Sequence, residues 1–435
     1  MLAITGLIWM FRYEIQALTH PGVVAGFSQE NHKSLDEQTI AVMSAYPDAS
    51  ITAITEPWGD RATQFDVTRG DEYLQVFVNP GTAMVTGAID PSSEIADFAI
   101  RLHGNLTFGF WGDVIIELAA CWAIIMALTG YYLYFKGRRA RKAGAAREKA
   151  EKGINPFTRL RLRAQHGAAG AVAGIGILFL VLSGLPWTAF WGENFQNIVT
   201  QQGQSLWGQD PGAESTLGEA LESASGTSAS APWALGESKL PESTAMDTGK
   251  LISVDYLKKL ANEEGLPAPY FIAFPEGETG VYSVVADQWM VAGNPAFSDV
   301  TQEAVIHVDR YSGEVIARYS YDEYTALAQV VSNAIAIHEG RRFGVVSQVA
   351  TIAFCVGILF LCITAPVMWW RRRQSGQGLG APRASISFKE HPWLVAGIVV
   401  LSVALPLFGA SMVALVLFEK LVVRKFEPVA KFLNG

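Results

Sequence analysis

Charge and cysteine are both scarce in this chain. Only 17% of its 435 residues are Asp, Glu, Lys or Arg, whereas 50% are hydrophobic. That balance excludes an ordinary soluble enzyme and fits a membrane protein carrying polar segments. The three cysteines, Cys121, Cys355 and Cys362, lie in apolar runs without CxxC spacing. They read as small core residues, and neither a disulfide framework nor a zinc site is expected. No GxxxxGK[ST] loop, strand-borne GxGxxG, HExxH or GxSxG motif is present, so no nucleotide, flavin, nicotinamide or hydrolase site is visible. The reducing equivalents for any redox reaction must then come from elsewhere. No nucleic-acid partner is expected.

Long apolar runs are what the chain does have. Residues 114–135, 167–190, 345–370 and 393–418 are each long enough to cross a hydrocarbon core of ~30 Å as a helix. They fall within the wider stretches 103–135, 164–191, 337–370 and 392–418. Residues 1–11 (MLAITGLIWMF) are apolar but too short to span. They read as the outer half of a first transmembrane helix whose beginning precedes Met1. Loop 136–163 is dominated by Lys and Arg, and the span at 345–370 runs into Trp369, Trp370, Arg371, Arg372 and Arg373. The positive-inside rule places loops 136–163 and 371–391 in the cytoplasm and the polar segments 12–102 and 192–336 outside. The basic tail 419–435 fits this scheme poorly, and Pro406 perturbs the last span.

Both polar segments read as α+β. In the first, AVMSAYP suggests a helix, and ITAIT, QFDVT and EYLQVFVNPGTAMVTGAI suggest strands with NPG as a turn. In the second, a Ser/Gly/Ala/Glu-rich tract at 212–245 reads as a flexible linker. A helix at LISVDYLKKLANEEG follows, then strands at FIAFPE, GVYSVVA, AVIHVD and GEVIARYS.

Histidine carries the chemical signal. His103 (LHGNLTFGFWG) and His338 (IHEGRRFG) each precede a span and are followed by closely spaced glycines. Both spans run inward, so both rings lie at the outer face. Two neutral imidazoles facing each other across a helical bundle are a usual way to hold a low-spin b-type haem. Glycine beside the ligand lets a bulky planar group approach the backbone. Arg101, Arg341 and Arg342 lie at the same edge, where they could pair with propionates. His166 (RLRAQHGAAGAVAG) sits at the inner end of its span among small residues that permit close packing or leave room for a macrocycle. It lies a membrane thickness from the other two. A second ring for it would have to be His391 or lie before Met1. A single interfacial histidine is more often structural than a ligand. Three in matching helix-edge contexts shift that balance, because ionisable groups at membrane depth mark function. His20 and His32 read as solvated, His307 as a surface or internally satisfied strand residue, and Glu117 as a helix-packing hydrogen-bond partner.

The segments LAITGLIWMFRYEI, RLHGNLTFGFWGDVIIELAACWAIIMALTGYYLYF, LSGLPWTAFWG, VDRYSGEVIARYSYDEY, IAIHEGRRFG and APVMWWRRR resemble the PepSY-associated transmembrane (PiuB-like) proteins of bacterial inner membranes. The resemblance covers nearly the whole chain and is most specific at HG, HEGRRFG and the DxYSGxV turn. It implies an α-helical polytopic membrane protein, with about four full spans plus the truncated first one and periplasmic α+β PepSY-like segments, the clearest at 250–325. The family includes ferric-siderophore reductases that carry b-type haem on helix-edge histidines, and His103, His166 and His338 are the positions that match. Its members begin with a Trp- and His-containing segment upstream of LAITG, which this chain does not display. The implied function is a haem oxidoreductase that passes electrons across the lipid bilayer, from an unidentified donor, to a periplasmic ferric-siderophore. One outer haem b and a second, inner one would serve, alongside siderophore transport components. The competing reading is a membrane-anchored PepSY module that binds a peptide or protease without redox activity. A transporter is the weakest alternative, because intramembrane charge is sparse and no pair of broken helices is visible.

Overall fold

Alternating apolar residues build one sheet from two distant parts of the chain. The computed structural model describes residues 1–28, 30–137, 159–192, 194, 241–243, 252–286, 299–372, 379 and 392–434. Most of the basic loop 136–163 and of the tract 212–245, and also His391, fall outside the described residues. In chain order the elements begin with α1 (Leu2–Met10), α2 (Arg12–Thr19) and α3 (Leu35–Ala45). Strands β1 (Ser50–Thr55), β2 (Thr63–Arg69), β3 (Glu72–Asn79) and β4 (Met84–Ile89) follow, then α4 (Ile95–Asn105), α5 (Gly109–Lys136) and α6 (Arg159–Gly184). After α7 (Val254–Glu263) come β5 (Phe271–Ala273), β6 (Val281–Ala286), β7 (Ala304–Asp309) and β8 (Val315–Ser320). The chain closes with α8 (Ala326–His338), α9 (Val345–Arg372), α10 (Pro392–Ala404), α11 (Pro406–Phe418) and α12 (Glu427–Asn434). By internal packing it divides into one unit of residues 1–103 and 191–352 and another of residues 104–190 and 353–435.

The first unit is organised by an eight-stranded antiparallel sheet of order β4-β3-β2-β1-β5-β6-β7-β8. Each half is a helix followed by a four-stranded meander. The halves join where β1 pairs with β5, Ala53 opposite Ala273 and Ile54 opposite Ile272. One face buries Ile54, Phe65, Val76, Ile272, Val284 and Ile306 against Leu35 and Val42 of α3 and Leu257 and Ala261 of α7. The two helices also exchange caps. Each starts after a serine that accepts from its own first turn, Ser34 from Glu37 and Ser253 from Tyr256. Each sends an aspartate to the other's free N–H groups: Asp255 accepts from the amides of Leu35 and Asp36 at 3.0 Å each, and Asp36 accepts from Val254 N–H at 2.8 Å and from the Ser253 hydroxyl. Such carboxylates satisfy orphan donors and meet the positive end of the facing helix. The second face of the sheet is also covered. Phe77 and Ile89 pack there on Val24, and Asp66 is 1% exposed.

In this unit α1 is tied to the sheet through aromatic rings and guanidinium groups. Arg12 lies 4.5 Å from the ring centres of both Trp9 and Tyr13, and Arg61 of the β1–β2 loop lies 5.0 Å from Tyr13. Tyr13 meets Trp58 edge-on at 5.4 Å. Cation–π contacts of this kind are strongest when desolvated, and Arg61 is 7% exposed.

The second unit is helical. Among the described residues four helical stretches are long and apolar enough to cross a membrane: 109–136, 161–187, 345–371 and 406–423. The first three lie where the sequence placed them. The last corrects the expectation of one span over 392–418. The chain breaks at Leu405, giving the shorter α10 and a separate α11. Pro406 is the cause, since it has no N–H to continue α10 and its ring crowds the carbonyl one turn back. A Cβ on Gly409 would come 2.9 Å from the carbonyl oxygen of Ser402. Those residues would stand ~10 Å apart on a straight helix, so the chain folds back at this corner. Hydrogen bonds tie this unit together, while Glu117 Oε1 and Asp113 Oδ1 on α5 are buried without a hydrogen-bond partner among the described residues. Trp122 donates to Ser411 Oγ at 3.1 Å and Tyr131 to the Ala171 carbonyl at 2.9 Å. Glu117, fully buried, accepts from the Phe190 amide at 2.7 Å, which is the packing role read from the sequence. Of the cysteines, Cys121 and Cys355 are buried but Cys362 is exposed.

Candidate functional site

Two short helices that the sequence reading did not resolve deliver the first pair of histidines. His103 occupies the last turn of α4, which is braced by an Asp97–Arg101 ion pair of 2.9 Å. His338 is the last residue of α8, capped at its start by Thr325 and stopped by Gly340. Gly340 has φ +73°, a left-handed conformation that only glycine adopts freely. It lets the amides of Arg341 and Arg342 turn back to the Ala336 carbonyl, at 2.9 and 3.0 Å.

The structure brings the two rings together. The His103 and His338 ring centres lie 6.5 Å apart with planes at 86°. Two imidazoles that bind one metal from opposite sides, each at about 2 Å through a nitrogen about 1 Å from its ring centre, place their centres ~6 Å apart. By that separation the two rings could hold one metal between them. A third element, α1, closes on His103. The Thr5 hydroxyl oxygen is 2.9 Å from His103 Nδ1 and also 3.0 Å from the Leu2 carbonyl. A Cβ on Gly6 would come 3.4 Å from His103 Cε1, so glycine there admits the ring at contact distance. Burial, reinforced by the neighbouring His338 ring, pushes His103 down to about 4. At neutral pH it is an uncharged imidazole, the form that ligates metal. Among the described residues no three His, Cys, Asp or Glu side chains gather as a metal site; His103 and His338 are a pair.

His166 belongs to the second unit, whereas His103 and His338 belong to the first. Its Nδ1 is 2.7 Å from Thr364 Oγ1, and Thr364 is itself 2.7 Å from the Phe360 carbonyl. Small neighbours let other helices approach: a Cβ on Gly167 would sit 3.7 Å from the Tyr134 ring, and one on Gly170 the same distance from Leu361. The unit's other histidine, His391, lies outside the described residues.

The arginines proposed for propionates already have protein partners. Arg341 is 2.6 Å from Glu339, and Arg342 is 2.6 Å from Asn333 Oδ1 and 3.5 Å from Asp299. His307 is fully buried, with Nδ1 2.9 Å from Ser283 Oγ, and burial pushes it down to about 3. Of the two possibilities read from sequence, it is therefore the internal residue. His20 lies 3.6 Å from Glu94.

Sequence reasoning missed Thr5, Thr364 and Gly6. Its only available signal was a short echo, Ile-Thr-Gly at 4–6 and Ile-Thr-Ala at 363–365. Threonine in an apolar helix ordinarily bonds its own backbone, so the echo carries little weight alone.

No curated protein matches the chain. The profile of the PepSY-associated TM region matches residues 1–372, which takes in the sheet, both histidine-bearing short helices and the first three candidate spans. Together with four helices of membrane-crossing length, this makes it a multi-pass membrane protein, and the chain belongs to the PepSY-associated transmembrane family.

Proposed function

We propose that the protein is an inner-membrane b-type haem oxidoreductase that delivers electrons to a periplasmic ferric-siderophore in support of iron uptake. The observation that carries this reading is the His103–His338 pair, whose 6.5 Å ring separation suits one iron between them. Bound there, haem would supply one-electron transfer. The chain's own residues do the rest. His103 and His338 offer neutral imidazoles from two helices, Gly6 admits the His103 ring, and α1 covers it on one side. Reduction of the substrate from iron(III) to iron(II) by one electron loosens hard oxygen chelators and frees the metal. His166 would hold a second haem toward the opposite face, extending the path across a ~30 Å core. In this orientation the sheet unit is periplasmic and the basic loops 136–163 and 371–391 are cytoplasmic.

A pyridine haemochrome assay of the purified full-length protein tests the reading. A b-type spectrum is expected. His103→Ala and His338→Ala should each abolish the component that survives His166→Ala. Colourless protein that inhibits a protease through its sheet unit would instead support the binding-module alternative.

A further inference from the structure

The two histidines that lie in different units are held by the same device. In each case Nδ1 meets a buried threonine hydroxyl, His103 with Thr5 at 2.9 Å and His166 with Thr364 at 2.7 Å. Thr5 and Thr364 are 4% and 5% exposed, and each hydroxyl also contacts a backbone carbonyl of its own helix, Leu2 at 3.0 Å and Phe360 at 2.7 Å. A hydroxyl has one proton. The two oxygens lie 3.0 Å apart at Thr5 and 2.7 Å apart at Thr364; with no proton between them they would oppose lone pair to lone pair, so the proton is assigned toward the carbonyl. The threonine oxygen then has only lone pairs left for the ring. The imidazole must donate, which puts its proton on Nδ1 and its free lone pair on Nε2.

We propose that Thr5 and Thr364 are positioning residues that fix His103 and His166 in the Nδ1-protonated tautomer, so that each presents Nε2 as a metal ligand. The proposal rests on the haem reading for the identity of the metal, but the tautomer itself does not. A partner that accepts from the second ring nitrogen orients the ligand and raises its basicity. The pairs span 98 and 198 residues of sequence and use different helices, so one local motif does not generate both. The arrangement also gives the buried Thr5 a role beyond bonding its own helix.

The test compares Thr5→Val, which keeps the shape and removes the acceptor, with Thr5→Ser, which keeps the hydroxyl. In the haem-loaded full chain, Thr5→Val should bind the His103–His338 haem about 10–100-fold more weakly, read by transfer to apomyoglobin. The midpoint potential of that haem should rise, because a less basic imidazole stabilises the oxidised iron less; a tenfold shift in the redox equilibrium is about 59 mV for one electron. Thr5→Ser should stay near wild type in both. Retention and potential unchanged in Thr5→Val, or equally altered in Thr5→Ser, would overturn the proposal. A second measurement separates this from failure of the haem reading. In haem-free protein labelled with 15N-histidine, the resonances lost in His103→Ala should report Nδ1 protonated in wild type and mixed tautomers in Thr5→Val. Protein that takes up no haem but keeps that tautomer would end the haem reading and leave the threonine assignment standing; Nε2 protonated in wild type would end the assignment.

Discussion

His103 and His166 each have a threonine partner, Thr5 and Thr364, but are embedded in different kinds of packing. The unit around His103 is built as a soluble domain is built. Its sheet buries Val, Ile, Leu and Tyr between β-strands and two helices, and the polar atoms of α3 and α7 are capped across the pair. The unit around His166 is built from apolar helices that touch where glycine removes a side chain. A Cβ on Gly176 would fall 2.4 Å from Phe354 Cγ, and one on Gly357 would fall 2.9 Å from Ala173 Cβ. Water drives the first kind of packing. Close van der Waals fit drives the second, since lipid is as apolar as the helices themselves. The same histidine–threonine contact therefore depends on different forces in the two units, and substitutions should perturb one without the other.

The largest separation is expected from pH. Asp66, on β2, is fully buried, and desolvation raises its carboxyl to about 7 even though Gln64 donates to it at 2.9 Å. The unfolded value is near 3.8, so between those values the folded sheet holds a proton that the unfolded chain releases. The resulting stability is fully present below about pH 4 and is lost as pH rises through about 7, a change of up to about 4 kcal/mol at 1.36 per unit. Asn at 66 does not titrate and keeps an oxygen for Gln64. Asp66→Asn should therefore raise hydrogen-exchange protection of β2 and β3 at pH 8 and flatten its pH dependence, while α5 and α6 stay as in wild type. Equal pH profiles for the two proteins would remove this contrast between the units.

How much of this was legible in sequence depends on the range of each interaction. The strands were readable because period-2 alternation is local, and the first three candidate spans because length and hydropathy are local. That both meanders share one sheet was not readable. The joining pairs, such as Ile54 with Ile272, are far apart in the chain, and each half has the same local pattern whether paired or separate. The histidines stood out through their glycines, but the helices that carry His103 and His338 did not, being only 11 and 13 residues long. Pro406 was visible as a perturbation, yet whether it bends or breaks a helix is decided by tertiary contacts such as Gly409 on Ser402. Thr5 and Thr364 were invisible because their partners are distant and their local bonding is ordinary.

A smaller effect sharpens the comparison from the helical side. In Gly176→Ala the new methyl would meet Phe354 Cγ at 2.4 Å and its Cβ at 2.8 Å. That is the root of the ring, which cannot swing aside as a flexible chain end would. Overpacking of this kind costs about 1–3 kcal/mol, partly offset by the better helix propensity of Ala. With the 2.4 Å contact at the upper end of that range and about 1 kcal/mol returned by propensity, a net loss of about 2 kcal/mol should appear as weaker detergent resistance of the second unit and altered His166 resonances, with the His103 resonances unmoved. Movement of both sets together would show that the two kinds of packing are not separable.

The smallest effect distinguishes the two glycines that follow the paired histidines. Gly104 has nothing within 4 Å of where a Cβ would stand, whereas at Gly340 a Cβ would meet Met10 Cε at 2.9 Å and Thr351 Oγ1 at 3.1 Å, on a backbone of φ +73°. The methionine end can move, while Thr351, with its Cβ at 3.2 Å, must give by a few tenths of an ångström; the left-handed backbone adds about 1 kcal/mol to the cost of Gly340→Ala. That strain acts two residues from His338 and should loosen the turn that stops α8, seen as faster exchange of the Arg341 and Arg342 amides. Gly104→Ala, with open space and no such backbone, should leave the fold unchanged. If Gly104→Ala nevertheless blocks haem uptake while Gly340→Ala only slows it, the open space beside His103 is where the planar group approaches, and the two glycines divide between them the tasks of admitting a ligand and shaping a turn.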